Sequence, residues 1–157
     1  MEKIDSAIYL ALRDDSEATV GIRALLGNTT TTPYNVYHAF FPDNFDFSPA
    51  SGNKGIVVYN FVSGTPDKTV HSKSTIISED LYDITAYHRS LDTLEDIHRR
   101  IKKRLYLLNN VTKPTSQAEL HQLLLDSERP PTFDDDWQVW FQTKSYRAWV
   151  RDDDIIS

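Results

Sequence analysis

A chain of 157 residues, 39% hydrophobic and 25% charged, has the size and composition of one folded domain over residues 1–157, able to bury about two thirds of its unfolded surface without covalent staples. It contains no cysteine, which excludes disulfide frameworks, thiol chemistry and thiolate zinc sites. A net charge of −6 and a pI near 5.3 argue against a protein that grips nucleic acid with its whole surface, and the opening MEKIDSAIYLALRDD is broken by Asp5 and Arg13 too early for a signal peptide or a membrane span. The sequons at Asn28 and Asn110 are set aside on that ground.

Ile4, Ile8 and Leu12 recur every fourth residue with Ala7 and Ala11 beside them, which predicts a short first helix. Asp14, Asp15 and Ser16 interrupt it and offer an N-cap for a second helical piece carrying Val20, Leu25 and Leu26, with Gly27 and Asn28 as its stop. After a polar connector at 29–33, the aromatic and β-branched run YNVYHAFF (34–41) predicts a strand. The segment 42–55 reads as a long loop whose Phe45 and Phe47 either fold back on the domain or meet a neighbour. GIVVYNFVSG (55–64) is apolar on both alternations and predicts a central strand; after the turn SGTPDKT comes a longer strand over 74–88, with a bulge near Ser78, Glu79 and Asp80 to explain its broken alternation. These three strands read as a meander.

From Leu91 the apolar positions are Leu91, Leu94, Ile97, Ile101, Leu105 and Leu108, the spacing of an amphipathic helix. Ser90 or Asp92 can cap its start, with Glu95 three residues after Asp92 to complete a capping box, and the basic residues gather toward its end, as the helix dipole prefers. SQAELHQLLLDSERPP (116–131) is ambiguous; Leu120, Leu123 and Leu124 favour a short helix or an irregular segment, with a strand as the alternative. In the final DWQVWFQTKSYRAWVRDDD, Trp137, Val139 and Phe141 alternate with polar residues and Tyr146, Ala148 and Val150 continue the pattern, as one bent strand or two short ones. The element order predicts an α+β domain: a mainly antiparallel sheet of about four strands packed on one long amphipathic helix, with short N-terminal helices.

Candidate chemistry is thin. The histidines at 38, 71, 88, 98 and 121 form no i, i+4 pair and no HExxH, and His98, within the basic run, reads as a surface residue. His38 and His88 lie near strand ends that sheet pairing could bring together, so a hydrolase using either with Asp83 is the enzyme alternative. The carboxylate triplets at 134–136 and 152–154 lack calcium-loop spacing and read as solvated charge. RRIKKR (99–104) offers Arg99, Arg100, Lys102, Lys103 and Arg104 as a basic surface for phosphates, but the run sits at a dipole-favoured helix end without base-reading partners, so a solvated or interface face is preferred. Trp137 and Trp140 differ in parity and would face opposite sides of a regular strand, so both sides need cover: the core on one and a partner subunit on the other would supply it, with a bulge or a covering helix as the alternative.

A helical N-terminus ending in LLGN, then PYNVYHAFF, a Pro- and Gly-bearing loop, GIVVYNFVSG, and DLYDITAYH entering SLDTLEDIHRRIKKRLYLL together resemble the tail terminator, or tail-completion, proteins of long-tailed bacteriophages. The similarity covers roughly residues 4–108, as an order of elements with loosely matching residue types. It implies a virion structural subunit without cofactor or metal, assembled in the host cytoplasm. Such a subunit forms a hexameric ring on the finished tail tube, ends its polymerisation, meets a head-side connector, and lets DNA pass through a channel without specific binding. On this reading sheet edges, Phe45 and Phe47, and Trp137, Trp140 and Trp149 are the candidate interfaces. Another neck component, such as a head-completion or stopper protein, is the alternative within the same setting; a small nucleic-acid-binding module stands behind the hydrolase.

Overall fold

The computed structural model describes residues 4–64, 68–69, 76–112, 114 and 118–152. Helix α1 (Asp5–Arg13) forms at the predicted stripe, with Ile4, Ile8 and Leu12 fully buried beside Ala7 and Ala11. Helix α2 (Ile22–Leu26) starts later than the acidic interruption suggests. Its N-cap is Gly21, and Asp15 serves it from outside by accepting a hydrogen bond from the Ile22 N–H at 2.9 Å. Val20 accordingly precedes the helix and is 46% exposed instead of lying on an apolar stripe. Gly27 does end α2, in the left-handed region at φ +80°, where a side chain would collide with the Gly52 carbonyl.

Seven strands follow: β1 (Val36–His38), β2 (Gly55–Gly64), β3 (Lys68–Thr69), β4 (Ile76–His88), β5 (Ala118–Glu128), β6 (Thr132–Asp134) and β7 (Val139–Asp152). The order is β1-β2-β4-β7-β5, with β3 on the start of β4 and β6 on the start of β7. Four strands, β2, β4, β5 and β7, have ten residues or more, and every pairing except β1–β2 is antiparallel, so the expected architecture holds. The meander does not: β1 runs parallel to β2. Nor does the aromatic run 34–41 extend, because Tyr34, Asn35 and Ala39 adopt φ of +58°, +60° and +67°, which leaves only three residues between them in the sheet. β2 is buried only from Gly55 to Tyr59; its second half projects past β1 and is exposed.

β4 is the spine. Its even positions, Ser78, Asp80, Tyr82, Ile84, Ala86 and His88, are buried on the helix side, while its odd positions lie partly exposed on the other. The bulge expected at 78–80 is absent, since β4 pairs with β7 without interruption from Ser78 to His88; the irregularity lies on the opposite strand, between Phe61 and Ser63 of β2. The alternation looked broken because polar Ser78 and Asp80 occupy core-facing positions. The predicted turn at 63–69, the strand start at 74–75 and His71 fall wholly or partly outside the described residues.

Residues 118–128 correct the reading of a short helix: they are strand β5 at the sheet edge. Register shifts between Leu120 and Gln122 and between Leu125 and Ser127 explain the error. The first bulge brings Leu120 and Leu123, three apart, onto the same buried face, and a spacing of three imitates a helix. β7 is one continuous strand, but Trp137 precedes it, in the turn that joins β6 to β7.

Helix α3 (Leu91–Leu107) crosses the inner face of the sheet. Ser90, not Asp92, is its N-cap, with the side chain accepting from the Thr93 N–H at 3.4 Å. Leu94, Ile97, Ile101 and Leu105 are fully buried, each such side chain stabilising the fold by about 1.5 to 3 kcal/mol. They meet Ile8, Leu12, Ile22 and Leu26 from the short helices and Val57, Ile84, Leu123, Ala148 and Val150 from the sheet in one core.

Candidate functional site

Two clusters organise the sheet's outer face. At one end the loop between β1 and β2 folds back, bringing Phe41, Phe45 and Phe47 over Ile56, Val139 and Tyr87 in a second small core. The Phe45 and Phe47 ring centroids are 4.6 Å apart, and Trp137 closes the cluster at 4.2 Å from Phe41 and 5.5 Å from Phe47. Phe47 is only 9% exposed, whereas Trp137 remains 39% exposed at the rim. The parity argument for Trp137 and Trp140 therefore lapses, because the turn frees Trp137 from the strand pattern. Trp140, paired with His88, packs against the main core and edge-on to Phe133, while Trp149, half-buried, lies on the outer face between Glu79 and Gln122.

Around Trp149 the outer face is polar and cross-linked. Arg147 bridges Glu79 at 3.1 Å and Asp126 at 3.0 Å, and Arg151 pairs with Glu119 at 3.1 Å. Thr85 and Thr143 share a hydrogen bond of 2.8 Å, and Ser145 donates to Asp83 at 2.5 Å. Asp83 also stands 3.8 Å from Arg129. His88 sits on the inner face of β4 and Asp83 on the outer, and His38 has Asp5 as its acidic neighbour, at 4.0 Å, while stacking on Tyr59. Among the described residues neither histidine is bonded to Asp83, so the pairing required for the hydrolase alternative is not assembled.

The basic run divides by role. Arg100 is drawn down to buried Asp15, donating through Nε and Nη2 at 2.6 and 2.7 Å, with a further bond to Glu17 at 2.5 Å. Arg104 donates to the Ala11 carbonyl at 2.9 Å. Both clamp the N-terminal helices to α3. Arg99, Lys102 and Lys103 remain exposed, Arg99 paired with Asp96 at 3.0 Å and Lys102 lying over the Tyr106 ring. The sequence held no signal for the Asp15–Arg100 clamp, whose partners lie 85 positions apart.

His98 overturns its surface assignment: it is 1% exposed, with Nε2 donating to the Gln142 carbonyl at 2.9 Å and Nδ1 buried without a partner. Burial, helped by nearby Lys144, pushes its pKa down to about 4. Among the described residues no three acidic or histidine side chains converge to hold a metal ion, and the Asp134 carboxylate is occupied as a turn acceptor for the Asp136 and Trp137 N–H groups. Residues 153–154 of the second acidic triplet lie outside the described residues. A wide concavity of about 810 Å³ between the 27–35 and 40–53 loops is lined by threonine, asparagine and aspartate, with Asp46 held below the usual carboxylate range by Ser48. Among the described residues no helix is long and apolar enough to cross a membrane.

The sheet edge at β5 carries a feature no sequence motif announces. Asn109, just past α3, donates through Nδ2 to the Leu123 carbonyl at 2.9 Å and accepts from the Leu123 N–H at 2.7 Å. The Tyr106 hydroxyl accepts from the Leu125 N–H, and the Thr112 carbonyl from the Leu120 N–H. These groups would otherwise be open to strand addition. Asn109→Ala is expected to cost about 1 to 2 kcal/mol by leaving both Leu123 groups unmatched. Urea unfolding and faster amide exchange at Leu123 would register it.

No protein-family profile matches the sequence, and no curated protein does. In fold, the chain is similar to one from the virion of a native gene transfer agent particle: 15% of residues are identical, the match covers 95% of each chain, and the TM-score is 0.63. The architecture is therefore one that occurs in a component of a virion particle.

Proposed function

We propose that this chain is a structural protein of a phage-like virion. Within that setting, we assign it to the tail terminators: a subunit of a hexameric ring that caps the tail tube, ends its growth and forms the tail side of the head-tail joint. The observation that carries the reading is the end-to-end likeness in fold to a gene transfer agent virion chain, with 95% of both chains matched.

A closed ring needs one patch on each subunit to meet a different patch on the next. Two described surfaces suit this. The exposed second half of β2, with Phe61 39% and Val62 47% exposed, is an open sheet edge, whereas the β5 edge is closed by Asn109 and Tyr106. Trp137, 39% exposed over Phe41 and Phe47, and the partly exposed Trp149 are aromatic anchors for such a contact, with Phe45 packed edge-on to Phe47 and Trp140 held against Phe133. The tail tube protein and a head-side connector are the further partners, and DNA crosses the ring's channel without specific contacts.

The test is negative-stain imaging of tails carrying labelled protein. The expected result is a label at the head-proximal tip and, when the protein is withheld, tails of irregular length that do not join heads. A label on isolated heads would transfer the assignment to a head-completion or stopper protein. Normal tails joined to heads in its absence would end the proposal.

A further inference from the structure

Beside the second core, three segments distant in sequence line one pocket of about 330 Å³. The loop after β1 supplies Phe41 and Asp43, the end of β4 supplies Tyr87, and the end of β6 with the turn that follows supplies Asp134 and Trp137. Among the described residues these five are its whole lining. Phe41 is the shared wall: its ring centroid lies 5.0 Å from that of Tyr87 at an interplanar angle of 73°, and 4.2 Å from that of Trp137 at 55°. Rings set at such angles do not close into a flat stack, and the π faces they turn toward the pocket carry partial negative charge.

The charged groups of the lining have the same sign. Asp134 uses Oδ1 to accept from the Asp136 and Trp137 N–H groups, and among the described residues nothing donates to its Oδ2. Asp43 is exposed, and among the described residues neither carboxylate is paired with a lysine or arginine. Arg89, two residues beyond Tyr87, donates instead to the Asn53 carbonyl at 2.8 Å. The cations that do lie over rings, Arg13, Arg23 and Lys102, use Tyr9, Tyr34 and Tyr106. Burial first, and then the Asp134 charge, push the Tyr87 hydroxyl above its ordinary value, so the phenol stays neutral beside the carboxylates. Exposed Asp135 and Asp136 add to the negative field.

An apolar occupant would cut both carboxylates off from water, and an anion would be repelled. A cation meets both demands. A quaternary ammonium would suit the rings but has no N–H for the carboxylates, and a lysine head is a compact point charge; a guanidinium lays a flat face on a ring while its N–H edge reaches carboxylate oxygens. We infer that this pocket receives a guanidinium, the arginine side chain of a neighbouring protein, stacked on the Phe41–Trp137 wall with its N–H groups shared between Asp43 and Oδ2 of Asp134. The choice of a protein side chain rests on Trp137 as an interface anchor; binding of a guanidinium by the isolated chain does not, so the two readings can fail separately.

The probe is Nα-acetyl-L-arginine amide, a guanidinium without terminal charges, titrated into the nitrogen-15-labelled full chain and followed by NMR at the Trp137 indole N–H. A saturable shift of that signal and of the Asp43 and Asp134 amides is expected, weaker at high salt, while the matched citrulline derivative, similar in shape but uncharged, leaves them in place. In an Asp43→Asn, Asp134→Asn variant residue 134 keeps an acceptor for the Asp136 and Trp137 N–H groups, so the turn is retained; its affinity for the arginine probe is expected to fall several-fold with the rest of the amide spectrum unchanged. The inference is overturned by the absence of a saturable shift, by an equal response to the citrulline derivative, or by unaltered affinity in the double variant. Tetramethylammonium binding as tightly as the arginine probe would overturn the assignment to a guanidinium.

Discussion

Arg100→Ala is expected to lower the unfolding free energy by about 3 to 5 kcal/mol, a fall in Tm of roughly 6 to 20 °C for a domain of this size. The cost comes from what is left behind. Asp15 is 2% exposed, and its carboxylate is matched by two hydrogen bonds from Arg100 and one from the Ile22 N–H. Burial alone would raise its pKa, but Arg100, the Ile22 N–H and nearby Arg104 outweigh burial and hold it below the usual carboxylate range. Removing the guanidinium strands a buried charge and loosens the loop that enters α2. Adding Asp15→Asn to the same variant is expected to recover at least about 1 kcal/mol, because the amide keeps an acceptor for Ile22 and carries no charge. A single variant that loses less than about 1 kcal/mol by thermal or chemical unfolding would mean that water replaces Arg100.

The second large effect is acid destabilisation through His98. Its folded pKa, about 4, lies below the usual 6.5, so between those values the unfolded chain binds the proton and the folded chain does not. Stability therefore falls as pH drops from 6.5 toward 4, by up to about 3 kcal/mol from this one side chain. The geometry agrees: a proton on buried Nδ1 would find no acceptor, and Nε2 is already committed to Gln142. Of the charged groups facing the ring, Lys144 opposes protonation and Glu128 favours it. His88, buried at the end of β4 and accepting the Ser90 N–H at Nδ1, is displaced in the same direction, mainly by burial. Asp15, held low, acts in a more acidic window, since its contribution is lost only as pH falls through its depressed folded value. His98→Gln keeps a donor for the Gln142 carbonyl without a titrating ring. Its stability should vary much less between pH 6.5 and 4 than that of the parent chain; equal slopes in denaturant titrations would remove His98 as the cause.

What the candidate surfaces share is that exposure in isolation decided their reading. RRIKKR looked like five equivalent cations, yet Arg100 and Arg104 are internal clamps and three remain on the surface. His98 looked exposed because its neighbours are basic, but residue 98 falls on the same helix face as Leu94 and Ile101. That assignment was open to correction by counting helical positions. The Asn109 clamp, the Ser145–Asp83 bond and the Arg147 bridges were not, because each depends on which strands become neighbours.

Periodicity by itself determined α1, α3 and the long strands β2, β4 and β7, since an apolar stripe at 3.6 or 2 residues has one inexpensive way to be buried. The Gly27 stop was equally local, because the left-handed turn it makes excludes almost every other residue. Tertiary structure alone decided that β1 runs parallel, that β7 inserts between β4 and β5, and that 118–128 is a bulged edge strand. The physical reason is that a bulge changes which residues share a face without changing their order, and a strand's neighbour is chosen by the surface left after every other element has packed.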